Sequence, residues 1–156
     1  MTKPSTFLVC VNDKNHSYTA LHFACKKANT TGSAVKLLCV VDPVDYNTIF
    51  SVADVIKDER IATAQDLLEE MAEKAKTWTN TPPFTMVKEG RIVDEIIAAI
   101  AEDTTIDLLI VAVAADGSSS KSGLLPTLTS ATGHKFHIPL LIVPGNLSDE
   151  EIDQLT

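Results

Sequence analysis

The chain has 156 residues, a length that suits one domain with a single buried core. Hydrophobic residues make up 45% and charged residues 22% of the sequence, as in soluble globular proteins. Thirteen lysines and arginines face 21 aspartates and glutamates, and the net charge of −8 argues against binding to a nucleic-acid backbone. The sequence has neither a signal-peptide pattern nor an apolar run of membrane-spanning length, so we expect a cytoplasmic protein without membrane contact.

Strand-like and helix-like patterns alternate along the chain. Apolar runs of strand length cover residues 7–11, 34–41, 84–88, 108–113 and 140–143. Apolar side chains at helical spacing lie between the first four runs, at residues 17–28, 61–78 and 92–100. We expect residues 43–56 to form an irregular connection, either a flap over a site or a surface for a partner. Residues 145–156 are predicted to form an acidic C-terminal tail.

The strand-like runs are almost uniformly apolar, which is typical of parallel strands with helices on both faces. With right-handed crossovers, five such strands form one open α/β sheet, so we predict a single domain over residues 1–156. The run at 84–88 is more polar than the others and is therefore expected at a sheet edge. The buried interior of the sheet is expected to contain Val9, Leu38, Ile110 and Ile142.

The cysteines and histidines form no recognisable metal or disulfide pattern. Cys10, Cys25 and Cys39 are an odd number without a C-x-x-C pair, and each falls in an apolar pattern, so we expect buried, unpaired thiols. The four histidines are scattered, and His22 falls off the apolar stripe of its helix. Neither a nucleophile elbow nor a metalloprotease or Walker pattern occurs in the sequence.

The segment after the fourth apolar run is rich in glycine and hydroxyl residues. It leads from a strand towards a helix-length segment, where free backbone N–H groups and the positive end of a helix dipole favour an anion. A solvated surface loop without a ligand is the alternative interpretation. The candidate anion-binding residues are Gly117, Ser118, Ser119, Ser120, Lys121 and Ser122.

The order and spacing of these segments resemble the universal stress protein family. The resemblance covers residues 6–144 and rests on FLVCVNDKNHSYTALHFACKKA, LLCVVDP, VKEGRIVDEIIAAI, DLLIVAVAADG and IPLLIVPG. It implies a Rossmann-like parallel sheet of the adenine nucleotide α-hydrolase type, with helices on both faces and strand order 3-2-1-4-5. It also implies a cytoplasmic homodimer that pairs through the last strand, residues 140–143. The tail after Pro144 would then cross towards the partner.

Nucleotide-binding members of that family carry three glycines in a fixed pattern before a Ser or Thr. Here Val113, Asp116 and Pro126 stand at the glycine positions, and only the hydroxyl residue, Thr127, matches. Glycine lets a backbone approach a phosphate closely, whereas these side chains obstruct the approach and the aspartate repels a polyphosphate. The hydroxyl-rich residues 117–122 offer an anion nest in a different register instead.

The adenine side of the implied site is better preserved. Val11 and Val41, at the ends of the first two strands, are expected to flank the base, although plain core valines are the alternative interpretation. Asn12 stands where the family usually has an aspartate that contacts the nucleoside. Its amide retains the ability to bond a ribose hydroxyl or an adenine edge.

The sequence therefore predicts a non-enzymatic stress-response homodimer with an altered, weak pocket for an adenine nucleotide (ATP or AMP) or another anion, for which Mg²⁺ is a candidate companion. One alternative is a slow, metal-assisted hydrolase of ATP or phosphate esters. Asp13 and Asp42 end the first two strands, where two carboxylates are able to hold a hydrated Mg²⁺, although strand-end aspartates also cap turns. The other alternative is an adaptor with no ligand.

Overall fold

A computed structural model of the chain describes residues 3–11, 14–43, 50–113, 128 and 136–156. The described elements, in chain order, are β1 (Thr6–Cys10), α1 (Lys14–Thr31), β2 (Ala34–Val41), α2 (Phe50–Ala75), β3 (Phe84–Glu89), α3 (Ile92–Glu102), β4 (Ile106–Val113), β5 (Leu140–Pro144) and α4 (Asp149–Leu155). None of these helices combines the length and the apolar character that crossing a lipid bilayer requires.

The five described strands form one parallel sheet in the order β3-β2-β1-β4-β5. This arrangement confirms the predicted strand order and the Rossmann-like α/β class. The chain crosses from β1 through β2 to β3 on one side and then returns past β1 to β4 and β5. Since crossovers of parallel strands are right-handed, the change of direction places α1 and α2 on one face of the sheet and α3 on the other.

Alternate residues of the central strands supply two separate cores. On the face covered by α1 and α2, Val9 and Leu37 pack with apolar side chains of both helices. On the opposite face, Leu8 and Leu38 pack against α3, where Ile96 is fully buried. The uniform apolarity of the strands thus arises because both faces are covered, as expected for a parallel sheet.

Three of the four residues predicted for the sheet interior are buried. Val9 and Ile110 are 0% exposed and Leu38 is 1% exposed, whereas Ile142 is 42% exposed, so that prediction was wrong. The reason is position, because Ile142 lies on β5, the outermost strand. Its neighbour Val143 points to the opposite face and is 2% exposed.

The remaining elements follow the predicted pattern, except that α2 begins earlier and ends earlier than expected. The polar run predicted at an edge is β3, which is an edge strand whose first residue, Phe84, is 64% exposed. Residues 50–56, expected to be irregular, belong to α2. That helix ends at Ala75, so Trp78 lies in the following turn rather than on the helix.

All three cysteines are buried and unpaired, as predicted. Loss of solvent on burial raises the pKa of the Cys10 and Cys25 thiols to about 12. Because the thiolate is the reactive form, these side chains are inert packing groups at physiological pH.

The C-terminal tail forms α4, which packs against α1 of its own chain. The crossing of this tail towards a partner stays a prediction. Ser148 caps the helix: its hydroxyl accepts from the backbone of Glu151, whose carboxylate accepts from the backbone of Ser148. Ile152 is 1% exposed, and Leu147 packs against the core that α1 and α2 cover. The acidic residues at positions 149–151 and 153 therefore belong to a helix.

Candidate functional site

The candidate site lies at the carboxyl ends of the parallel strands. In open α/β sheets, ligands bind outside these ends where the chain reverses its direction across the sheet, which here is between β1 and β4. Val11 follows β1 at this point and is 2% exposed. Its backbone N–H donates to the carbonyl of Leu38 at 2.9 Å, so β2 holds the end of β1 in place.

Val41, the last residue of β2, lies near Val11 on the same face of the sheet. Both side chains pack against the core covered by α1 and α2. Cys10 pairs with Leu38 across the two strands, so β2 extends further than Val11 by about two residues, or roughly 7 Å. Val11 is therefore a buried core residue at the end of β1, and Val41, one step further along β2, is the valine that lines the open groove.

A glycine turn fixes the end of β2. The N–H of Gly90 donates to the carbonyl of Val41 at 3.1 Å. Gly90 has a φ of +152°, and a Cβ there would lie 2.5 Å from the Oε1 of Glu95. Only glycine allows this close turn without strain. The side chain of Glu95 and the adjacent Asp94 lie in the first turn of α3, where negative charge suits the helix dipole.

A groove of about 640 Å³ runs between the end of β2 and α2. Val41 and Ile56 contribute apolar surface, and the guanidinium of Arg60 donates to the carbonyl of Asp42 at 3.1 Å. The Nζ of Lys57 lies 3.6 Å from the Oε2 of Glu89 at the end of β3. That carboxylate oxygen is buried and has no hydrogen-bond partner among the described residues. The groove lining thus combines apolar side chains with the charged residues Asp42, Glu59 and Arg60, and it does not include Lys57 or Glu89.

The structure describes the positions of only part of the predicted site. It places Val11 and Val41 against the same core, and neither sequence pattern nor spacing pointed to Arg60, Lys57 or Glu89 near the end of β2. Outside the described residues lie Asn12, Asp116, Gly117, Ser118, Ser119, Ser120, Lys121, Ser122, Pro126 and Thr127. Val113 ends β4, and its carbonyl accepts from the N–H of Gly145 at 2.7 Å. The phosphate side of the site thus stays a prediction.

The predicted metal pair is likewise only half described. Asp42 is exposed at the end of β2, and Asp13 lies outside the described residues. The described part of the chain contains no group of three or more His, Cys, Asp or Glu side chains that could hold a metal ion.

A second polar cluster, which the sequence did not predict, lies on the outer surface of the α1 and α2 layer. His22 lies off the apolar face of α1, as its spacing indicates, and is nevertheless only 3% exposed. Its ring stacks on the indole of Trp78, with centroids 4.2 Å apart and planes 9° apart. Its Nδ1 lies 3.2 Å from the Oδ1 of Asp149 on α4. A groove of about 770 Å³ adjoins this cluster.

One signal in the sequence matches the cluster. His22 and Lys26 are four residues apart on α1, and Asp149 and Asp153 are four residues apart on α4. The Nζ of Lys26 lies 3.3 Å from the Oδ1 of Asp153, parallel to the contact of His22 with Asp149. Loss of solvent on burial lowers the pKa of His22, and the two carboxylates oppose that effect. The indole of Trp78 gave no such signal.

Comparison with known proteins agrees with this architecture. A structure titled universal stress protein UspA from Lactobacillus plantarum superimposes with a TM-score of 0.75 at 20% identity, covering 92% of this chain and 99% of that one. A universal stress protein in complex with cAMP gives 0.66 at 19% identity, covering 93% and 100%. A family member from Arabidopsis thaliana with AMP bound gives 0.57 at 19% identity, covering 90% and 91%. At these identities the likeness establishes the fold.

The sequence itself carries the family assignment. None of the proteins with curated descriptions matches the chain significantly. The profile of the Universal stress protein family matches residues 4–144, which is nearly the whole sheet with its helices. The chain belongs to the universal stress protein family.

Proposed function

We propose that this protein is a cytoplasmic, non-enzymatic stress-response homodimer that binds an adenine nucleotide weakly at the carboxyl ends of β1 and β2. The observation that carries the proposal is the partly apolar groove beside the end of β2, which Val41 and Ile56 line next to the buried Val11. A flat base gains free energy by covering such a surface, at about 25 cal/mol for each Å² of apolar area removed from water.

Related structures support the class of ligand. The titles of two structures with this fold name cAMP and AMP as bound molecules. Both molecules contain adenine and a phosphate, so the part they share with ATP is the base, the ribose and the first phosphate. In this chain Val11, Val41 and Asn12 would contact the base and the ribose.

The phosphate side is the reason for proposing weak binding. Val113, Asp116 and Pro126 replace the three glycines that would bring bare backbone to the phosphates. The Asp116 carboxylate would cost about 1 kcal/mol against a nearby triphosphate in a partly solvated cleft. Residues 117–122, with Lys121 as the cation, would then receive the anion, with Mg²⁺ as its companion when polyphosphate binds. A nucleotide with fewer phosphates should therefore bind more tightly than ATP.

The homodimer rests on the character of β5. This strand is at the sheet edge, and Ile142 on it is 42% exposed. An apolar edge strand with free backbone groups tends to pair with another strand. A second copy of β5 would satisfy those groups and cover Ile142.

Calorimetric titration with AMP and ATP, with and without Mg²⁺, tests the ligand. We expect dissociation constants weaker than micromolar, with AMP at least as tight as ATP. Val41→Asp should weaken AMP binding about tenfold or more, because an unpaired charge replaces the apolar contact. Val55→Asp is the matched control, since Val55 is 55% exposed on α2. Equal effects of the two variants would contradict the proposed site.

The same titrations separate the alternatives. Mass spectrometry of the filtrate from denatured protein identifies any nucleotide that co-purifies. Conversion of ATP during incubation with Mg²⁺ would support the metal-assisted hydrolase instead. Neither binding nor conversion would support the adaptor without a ligand.

Sedimentation velocity tests the dimer. We expect the native protein to sediment as a dimer at micromolar concentration and Ile142→Lys to shift it to the monomer. Phe84→Lys on β3, the opposite edge, is the matched control and should leave the dimer intact. A native monomer, or a dimer that only Phe84→Lys disrupts, would overturn pairing through β5.

A further inference from the structure

The cluster around His22 joins three parts of the chain that are distant in sequence. His22 belongs to α1, Trp78 follows α2, and Asp149 begins α4. The imidazole lies between the indole and the tail helix, and its side chain is only 4% exposed. The candidate nucleotide site includes none of these groups, and of the three only Trp78 packs against the core that α1 and α2 cover.

The tail helix depends on this contact. A helix of seven residues is too short to persist alone in water, so α4 needs its docking surface to stay folded. That surface buries Ile152 and pairs Asp153 with Lys26 at 3.3 Å. Before the helix begins, the hydroxyl of Thr19 donates to the carbonyl of Gly145 at 3.1 Å. His22 is the one buried ionisable group among these described contacts.

A neutral imidazole suits the site. With a proton on Nδ1, the ring donates to the Oδ1 of Asp149 and needs no charge of its own. The carboxylate of Asp149 is 87% exposed, so water screens much of the attraction that it would exert on an imidazolium. Burial of an imidazolium against an indole loses most of its hydration, which is the larger effect.

Other charges around the cluster partly cancel. Lys26 on α1 repels an imidazolium, whereas Asp153 on α4 attracts it. From α2, the Nζ of Lys74 lies 5.7 Å from the centre of the Trp78 ring, and Glu70 and Glu73 line the adjoining groove. The Glu73 carboxylate is itself paired with Lys76 at 2.7 Å. The loss of hydration at His22 therefore decides the balance.

We propose that α4 is an acid-released clasp, docked on α1 and Trp78 while His22 is neutral and detached when His22 binds a proton. Release would uncover Trp78 and the apolar surface beneath Ile152, at the point where the chain leaves β5. The clasp is independent of nucleotide binding and does not rest on it.

The direction of the pH dependence follows from the charge state of His22. Burial lowers the pKa of His22 below its ordinary value of 6.5, so the detached state binds the proton more tightly than the docked state. Docking is then at full strength above pH 6.5 and weakens as the pH falls below that value. Each pKa unit that separates the two states allows about a tenfold loss in the docking equilibrium.

Hydrogen–deuterium exchange of the full chain measures the clasp directly. The N–H groups of Ile152 and Thr156 donate within α4, to the carbonyls of Ser148 and Ile152. Protection of residues 149–156, corrected for the intrinsic pH dependence of exchange, should fall severalfold between pH 7.5 and pH 5, while β4 remains protected. Protection of the tail that does not change over this interval would overturn the proposal.

His22→Gln is the matched variant, because an amide still donates to Asp149 but does not titrate in this range. We expect its tail protection to be independent of pH, and an equal loss in this variant would also overturn the proposal. A second measurement does not require that variant to fold. NMR titration of the native protein should give a lower pKa for His22 than in Ile152→Asp, whose clasp is detached. Equal values in these two proteins would contradict the clasp.

Discussion

Polar side chains are more completely hydrogen-bonded at the amino ends of the strands than at their carboxyl ends. At the amino ends of the strands, Asp103 accepts from the N–H and hydroxyl of Thr105 at 3.0 and 2.6 Å, and its other oxygen pairs with Lys36 at 3.0 Å. The hydroxyl of Thr6 joins this network through Thr105 at 2.8 Å. At the carboxyl ends, Glu89 keeps a buried oxygen without a hydrogen bond among the described residues. The amino ends thus carry a closed network that stabilises the fold, whereas at the carboxyl ends Glu89 has only a long ion pair with Lys57.

Gly90→Ala should have the largest effect on stability, and it tests whether the carboxyl ends contain any rigid element. The positive φ and the contact with Glu95 predict a loss of about 3 kcal/mol in the free energy of unfolding, measured by urea denaturation. Gly32→Ala is the control, because Gly32 also has a positive φ but a Cβ there meets no atom within 4 Å. We expect about 1 kcal/mol for it. Equal losses would show that Glu95 yields without cost.

Asp103→Ala should lower the free energy of unfolding by about 2 kcal/mol, because it leaves Lys36 and the hydroxyl of Thr105 without their acceptor. Nucleotide binding should not change, since Asp103 lies at the end of the sheet opposite the candidate site. Asp107→Ala is the control: it removes a carboxylate whose exposed contact is the hydroxyl of Ser5. A binding defect in Asp103→Ala would break the division between the two ends.

Glu89→Gln should change stability by less than about 1 kcal/mol, because the ion pair with Lys57 is long and partly exposed. Binding of AMP should tighten, since a negative charge beside the candidate site disappears while Lys57 remains. Calorimetry measures the binding and urea denaturation the stability. A large loss of stability without any effect on binding would show that Glu89 stabilises the fold and has no influence on the candidate site.

The smallest expected effect is on how the free energy of unfolding declines at acidic pH. Hydrogen bonds from Thr105 and then Lys36 lower the pKa of Asp103 below its ordinary value of 3.8. A group with a lowered folded-state pKa stabilises the protein above its unfolded-state pKa. That contribution disappears as the pH falls through the folded-state value. Urea denaturation between pH 5 and pH 2.5 should therefore show a steeper decline for the native protein than for Asp103→Asn. Parallel declines would argue against the network.

Sequence patterns predicted the central strands better than the periphery. Val9 and Leu38 could be assigned to the interior because strands covered on both faces have no polar alternation. The same pattern failed for Ile142, since apolarity alone does not distinguish a central strand from the outermost one. The burial of His22 could not be predicted for a related reason: its cover comes from α4, more than a hundred residues later in the chain.

The candidate site divides in a similar way. The ends of β1 and β2 follow from strand order, so Val11 and Val41 could be placed together from the sequence. Arg60 and Lys57 could not, because their positions depend on where α2 begins and how it lies across the strand ends. The start of that helix at Phe50 was hidden in a segment with no clear apolar period.

The position of Trp78 determines what the intrinsic fluorescence of the protein reports. Trp78 is the only tryptophan of the chain, so intrinsic fluorescence reports on the stacked ring pair beside the tail helix and on the edge of the core that α1 and α2 cover. Circular dichroism, in contrast, averages over every helix and strand. If the tail detaches before the sheet unfolds, the emission change should precede the loss of ellipticity during heating. An analysis that assumes two states would then assign to the whole domain a midpoint that belongs to its last seven-residue helix.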